Sequence, residues 1–130
     1  MAIKKENKRL PPQFFSDKRG EIYTNKIKGT EFNIVFTRAG TYRAGDYHST
    51  KQYSVIMKGK IELTLRRNNK DITKKYGPNE LIAIPSGTPH LYKFMTDTVM
   101  VEWLVGRYNL QYYEPYRKII REQLGKLKIS

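Results

Sequence analysis

Cysteine is absent from the 130 residues, which excludes a disulfide framework, a thiolate nucleophile and any sulfur-ligated metal site. Histidine is nearly absent: the chain has only two, His48 and His90. No apolar run approaches the roughly 18 residues that a membrane-spanning helix needs. The start, MAIKKENKRLPPQ, is charged and lacks the apolar stretch of a secretory signal. The expectation is a cytoplasmic protein that does not enter a membrane. Acidic residues are also few, 12 against 25 Lys and Arg, for a net charge of +13. Such a surplus attracts anions in general. However, the basic residues are scattered, from KKENKR near the start to Arg66-Arg67, Lys74-Lys75 and the last segment. No helix-turn-helix pattern, zinc-finger spacing or RNA-binding aromatic motif accompanies them. Nucleic acid is therefore not the expected partner; a small molecule, anionic or sugar-like, is.

What is present suffices for one core. Hydrophobic residues make up 38% of the chain, with ten Tyr, five Phe and one Trp, a globular composition of single-domain size. Residues 1–12 read as a mobile arm ending at Pro11-Pro12. From there to about residue 108, short apolar or alternating runs are separated by turn clusters such as Lys28-Gly29, Asn68-Asn69 and Gly77-Pro78-Asn79. Strands are predicted at Glu21–Ile27, Phe32–Arg38, Tyr53–Lys58, Lys60–Arg66, Ile72–Tyr76, Leu81–Ile84, His90–Phe94 and Val99–Leu104. Ile61, Leu63 and Leu65 alternate with Glu62, Thr64 and Arg66, the period of a half-buried strand. Many short strands at regular spacing point to an all-β sandwich or barrel. The end differs. Over residues 109–130, Ile119, Ile120, Leu124 and Leu127 recur at helical spacing behind Pro115, predicting a C-terminal amphipathic helix. Its basic face could also meet a membrane surface, but its short length favours packing on protein.

Both histidines fall in Gly-framed segments, GDYHSTKQYSVIMKG (residues 45–59) and PSGTPH (residues 85–90). In an extended chain, residues i, i+2 and i+6 share a face, so Asp46, His48 and Gln52 point inward together. Gly59 permits a tight turn, and PSGTP returns the chain so that His90 faces the same interior. Two imidazoles, a carboxylate and an amide oxygen form a mixed N/O donor set suited to a divalent first-row metal. By the same alternation Tyr92 and Glu102 line the interior, while Trp103 faces away.

These segments resemble the two motifs of the cupin superfamily. In the first, Gly45, His48 and Gly59 fit, Asp46 stands at the first His position and Gln52 at the Glu position. In the second, GPNELIAIPSGTPH, Gly77, Pro85, Gly87 and His90 fit, with two extra residues after Gly77. The resemblance implies an all-β, single-domain cupin, a jelly-roll β-barrel, with the C-terminal α-helix added. It also implies a metal site at Asp46, His48, Gln52 and His90 for Fe, Mn, Ni or Zn, or a descendant of such a site that has lost its ion.

A further stretch, SDKRGEIY, resembles the D-x-R-G opening of cupins that epimerise or isomerise nucleotide-linked keto sugars; Asp17, Arg19 and Gly20 fit it. That resemblance implies proton transfer beside a sugar carbonyl, with His48 or His90 as base. Arg38, Arg43, Tyr92 and Glu102 would contact the substrate, the arginines gripping phosphate. The plainer reading makes Asp17 and Arg19 a structural ion pair in a turn. Two other functions stay open: a metal-dependent oxygenase or lyase, and a non-catalytic metabolite-binding cupin. The aromatic run VMVEWLVGRYNLQYY (residues 99–113), with Tyr108, Tyr112, Tyr113 and Tyr116, predicts a homodimer through this segment and the strand edges near the arm. Alternatively these tyrosines seat the helix on its own domain.

Overall fold

The structure, a computed structural model, describes residues 12–106 and 109–129. The expected N-terminal arm lies outside the described residues except for Pro12, and so does Tyr108. The chain forms strands β1 (Gln13–Asp17), β2 (Gly20–Ile27), β3 (Thr30–Thr37), β4 (Tyr42–Tyr47), β5 (Gln52–Lys58) and β6 (Ile61–Arg67). There follow β7 (Lys70–Tyr76), β8 (Leu81–Ile84), β9 (His90–Phe94), β10 (Thr98–Leu104), β11 (Gln111–Tyr112) and helix α1 (Glu114–Ile129). No helix among the described residues is long and apolar enough to cross a membrane.

Two antiparallel sheets face each other, one ordered β1-β2-β3-β10-β5-β8 and the other β11-β4-β9-β6-β7. Within them, β3-β10-β5-β8 and β4-β9-β6-β7 interleave as the two four-stranded halves of a jelly roll. The expected jelly roll is present, although its two sheets do not close into a barrel. No ladder joins the two sheets among the described residues, so the architecture is an open sandwich. Strands β1, β4 and β11 were not predicted as such. In β1 and β11 the apolar alternation is weak, and β4 (YRAGDY) is broken by a bulge at Ala44-Gly45, where both residues have positive φ.

Gly59 has φ +102, and a Cβ there would lie 2.5 Å from Thr98 Oγ1 and 2.6 Å from Asp97 O. The turn after β5 therefore lets the 97–98 turn pass at a distance only glycine allows. Between the sheets, Val35, Ile56, Ile61, Ile82, Phe94 and Met100 form an apolar core. The helix begins at Glu114, with Pro115 in its first turn; residues 111–112 instead add a short strand beside β4. Tyr116, Ile120 and Leu124 recur every four residues and pack on Leu91 and Tyr42 of the five-stranded sheet. Gly45 sits directly beneath them, since a Cβ there would meet Ile120 Cδ1 and Arg117 Cδ at 3.0 Å.

Candidate metal centre

The premise that brought Asp46, His48 and Gln52 together needs correction. They do not share one extended strand: β4 stops at Tyr47, residues 48–51 bend, and Gln52 opens β5 in the other sheet. The bulge at Ala44-Gly45 turns Asp46 inward after Arg43, and the bend brings the chain across the interior. Three residues converge all the same. Asp46, His48 and His90 are buried, and one ligand atom from each lies within 4.8 Å of the others. Asp46 Oδ1 is 3.2 Å from His90 Nε2 and 3.5 Å from His48 Nε2. The two imidazole rings are 5.4 Å apart, and Gly87 N–H donates to His48 O at 2.6 Å, joining the two motif loops directly.

Hydrogen bonds set the tautomers. His90 Nδ1 lies 3.0 Å from Thr88 O, and His48 Nδ1 lies 2.5 Å from Asn109 O. A carbonyl can only accept, so each Nδ1 carries a proton and each ring turns its Nε2 toward Asp46. Among the described residues, Asp46 Oδ1 and His90 Nε2 are buried without a hydrogen-bond partner. Electron pairs meeting with nothing between them are costly to bury, and a cation between them removes that cost. Burial pushes the Asp46 carboxyl up to about 6, against the lowering pull of His48. It pushes His90 down to about 4, so that ring is neutral and able to ligate near pH 7. The donor set fits a divalent ion.

Around the trio runs a buried polar network. Thr24 Oγ1 donates to Asn33 Oδ1 (2.6 Å), and Asn33 Nδ2 donates to Glu102 Oε2 (3.1 Å). Gln52 Nε2 reaches Glu102 Oε1 (3.4 Å) and Tyr92 Oη (3.3 Å), and Tyr92 Oη shares a hydrogen with Ser54 Oγ (2.7 Å). Burial first, and then the neighbouring Glu102, raise the Tyr92 hydroxyl far above its usual range. Burial likewise raises the Glu102 carboxyl, although Asn33, Arg43 and His48 oppose it. Gln52, Tyr92 and Glu102 thus form one hydrogen-bonded set in the same interior as the trio, and Trp103 faces out, stacked on Tyr53 at 5.7 Å.

Of the two candidate arginines, Arg43 borders the polar network, opposite Tyr92 and near enough to Glu102 to draw its carboxyl down, while Arg38 stands apart. Arg38 is exposed at the Phe94 end of β9, a strand length from His90, and donates to Lys18 O at 3.0 Å. Arg43 is buried, with its guanidinium bonded to Thr37 Oγ1 (2.8 Å) and Phe36 O (3.4 Å), and burial lowers it to about 10. Asp17 and Arg19 form a turn ion pair at 2.6 Å between β1 and β2, the plainer of the two readings. A surface cleft of about 400 Å³ is lined by Lys60, Lys75, Tyr76 and Met95 among others, and neither histidine lines it. Sequence reasoning missed Asn109, which holds His48 through its carbonyl and Ser49 through its side chain (2.8 and 2.6 Å). It also missed Thr24, Asn33 and Ser54. Their one signal is polar residues at alternate positions in otherwise apolar strands.

No family model matches the chain, and no curated protein matches it. Many solved structures do. The capsular polysaccharide assembling protein CapF from Staphylococcus aureus is 18% identical over 80% of this chain and 34% of its own, with a TM-score of 0.65. Oxalate decarboxylase from Bacillus subtilis is 14% identical over 76% of this chain and 28% of its own, with a TM-score of 0.66; that decarboxylase has Mn(II) centres. The chain thus spans about a third of these neighbours' length. Two interleaved four-stranded sheets, an Asp-His-His group between them and these neighbours together give this chain the fold of the cupins.

Proposed function

We propose that the chain is a metal-holding cupin enzyme acting on a small carbonyl-bearing substrate, with Asp46, His48 and His90 as the ion's ligands. The observation that carries this reading is the meeting of Asp46 Oδ1 with two imidazole Nε2 atoms, two of the three atoms lacking any partner among the described residues. Gln52 spends its amide nitrogen on Tyr92 and Glu102, which leaves Oε1 as the donor it can offer. One carboxylate and two imidazoles suit Fe, Mn, Ni or Zn. A bound ion of this kind would supply Lewis acidity, polarising a carbonyl or carboxylate oxygen of the substrate.

The chain's own residues supply the rest. The carbonyls of Thr88 and Asn109 fix the two rings. Glu102, held protonated to higher pH than an ordinary carboxyl, is the group placed to keep or pass a proton, and Oε1 is its more weakly bonded oxygen. In the isomerase reading, His48 or His90 is itself the base, and its Nε2 must face the substrate. Both Nε2 atoms instead face Asp46, so we rank that reading second. A carbohydrate substrate draws support from the likeness to CapF, a capsular polysaccharide assembling protein.

Elemental analysis of protein purified without chelator tests the proposal, with about one first-row ion per chain expected. Turnover is then followed as solvent deuterium entering the carbon beside the carbonyl of keto sugars, before and after ion removal. An ion-free protein that still exchanges deuterium would establish the isomerase reading. Ligand binding without exchange or turnover in either state would leave a binding protein.

A further inference from the structure

Part of the +13 charge gathers at the end of the sandwich away from the histidines. Strand β9 leaves the centre at His90 and ends at Phe94, so Met95 lies about 15 Å farther along the chain's extended path. There the cleft of about 400 Å³ has a floor of Ile61, Tyr76 and Met95. Ile61 is fully buried, Tyr76 half-buried and Met95 43% exposed. Lys60 and Lys75 line the same cleft; both are exposed, and neither has an ion-pair partner among the described residues. The acidic lining residue, Glu80, turns its Oε1 back to accept from Gly77 N–H at 2.6 Å. Main-chain hydrogen bonds fix the walls. On one side Asn79 N–H donates to Ile56 O (2.7 Å) and Ile56 N–H to Glu80 O (3.3 Å). On the other, Met95 N–H donates to Lys60 O (2.9 Å) and Lys60 N–H to Thr96 Oγ1 (3.0 Å). A preformed, mostly apolar cleft with a few polar groups, of roughly 300–1,000 Å³, is the ordinary form of a small-molecule site.

We infer that this cleft binds a small aromatic carboxylate, at a site separate from the metal centre. Each part of that class answers a feature of the lining. The floor holds a Tyr ring and a Met thioether, and both favour contact with a flat ring. Lys74 Nζ lies 5.2 Å from the centroid of the Tyr76 ring and adds a third cation beside the cleft. Two lysines against one glutamate leave the lining a single net positive charge, which a monoanion balances. Phosphate fits less well, because the lining has no arginine fork and Gly77 N–H is already spent on Glu80. Lysines on an edge strand such as β7 ordinarily deter pairing with another chain. That reason does not reach Lys60, which lies in the turn between β5 and β6.

Methionine-methyl NMR of the full chain, titrated with 2-naphthoate, reads the site directly. Met95 lines the cleft, Met57 is 54% exposed on β5, and Met100 is 1% exposed in the core. The Met95 signal should move saturably while those of Met57 and Met100 stay in place. Neutral 2-naphthamide should bind about tenfold more weakly, since it lacks the charge-assisted contact to lysine. Lys60→Gln combined with Lys75→Gln should weaken 2-naphthoate by about tenfold, with an unmoved Met100 signal reporting an intact core. Inorganic phosphate at the same concentrations should leave Met95 where it is. A Met95 signal that 2-naphthoate does not move would overturn the inference. So would a Met57 signal that moves with it, which would mean adhesion to exposed apolar surface in general. Equal binding of acid and amide, undiminished binding by the lysine variant, or a phosphate shift matching that of 2-naphthoate would each do the same. The titration should look alike in chelator and with ion added; shifts seen only with ion would put the carboxylate at the metal centre instead and also overturn the inference.

Discussion

Asp46→Asn should make the ion-free protein more stable and the ion-loaded protein less so. Asp46 is 7% exposed, its Oδ1 lacks a partner, and burial raises its carboxyl from 3.8 to about 6. A carboxyl whose folded pKa lies above its unfolded value contributes stability that is complete below the unfolded value and lost as pH rises through the folded one. Without an ion, wild-type protein should therefore lose stability as pH climbs from about 4 to about 6, and the loss is complete above that. At pH 8 the buried carboxylate costs on the order of 2–3 kcal/mol relative to a neutral group, at about 1.4 kcal/mol per pH unit. Asparagine removes that charge, and its amide can donate to an imidazole Nε2, satisfying an atom that has no partner.

Thermal melts in chelator across pH 3.5 to 8.5 should show Asp46→Asn melting roughly 8–12 °C above wild type at the alkaline end, and the two converging near pH 4. Added ion should reverse the order, since a ligand at 100 times its dissociation constant stabilises the native state by about 2.7 kcal/mol. If the two proteins melt in parallel across the whole range in chelator, Asp46 is not the strained carboxylate described above. If added ion stabilises the variant as much as wild type, Asp46 is not a ligand.

His90→Ala should reduce bound metal from about one ion per chain to a trace, measured by elemental analysis, while the chelated variant melts within roughly 5 °C of the chelated parent. His90 has its folded pKa lowered to about 4, so its share of stability is complete above its unfolded value of 6.5 and lost as pH falls toward 4. Acid melts of ion-free wild type should show that loss and those of His90→Ala should not. Gly59→Ala should lower the melting temperature by roughly 10 °C or more, a cost of about 2–3 kcal/mol, because its Cβ would overlap Thr98 Oγ1 and Asp97 O. Tyr116→Phe removes the 2.6 Å hydrogen bond to Asp71 and should cost about 1 kcal/mol in chemical denaturation, with metal content unchanged.

Much of the fold was legible because strand periodicity and turn residues are local. All eight strands predicted from alternation and punctuation exist, their ends displaced by at most two residues. What escaped was set by tertiary contact. β1 exists because it pairs with β2, and β11 because the approach to the helix lies along Asp46 and Tyr47. The helix starts at Glu114 rather than 109 for the same reason. His48, His90 and Asp46 could be singled out because histidine is scarce and the Gly and Pro around it are specific. Arg38 and Arg43 were chosen for their charge, which carries no information about position along a strand: Arg43 borders the Glu102 network, and Arg38 is exposed at the far end.

The six-stranded sheet shows why the remainder of the site was harder to read. In β5 (QYSVIMK) a hydrophobic-in rule would bury Tyr53 and Val55 and expose Gln52 and Ser54, the reverse of what occurs. The strand carries two apolar sets, and only at Ile56 does the inward one take over. The exchange has a physical basis. A centre that brings a carboxylate and two imidazoles together needs polar groups around it to orient its ligands, so the inner face there cannot supply hydrophobic driving force. The outer face of the same strands can supply it, provided something covers that face. On this view the polarity of the centre and the apolarity of the sheet's exterior have one cause, and substitutions at Val55 or Val101 should weaken metal retention through β5 and β10 without contacting the ion.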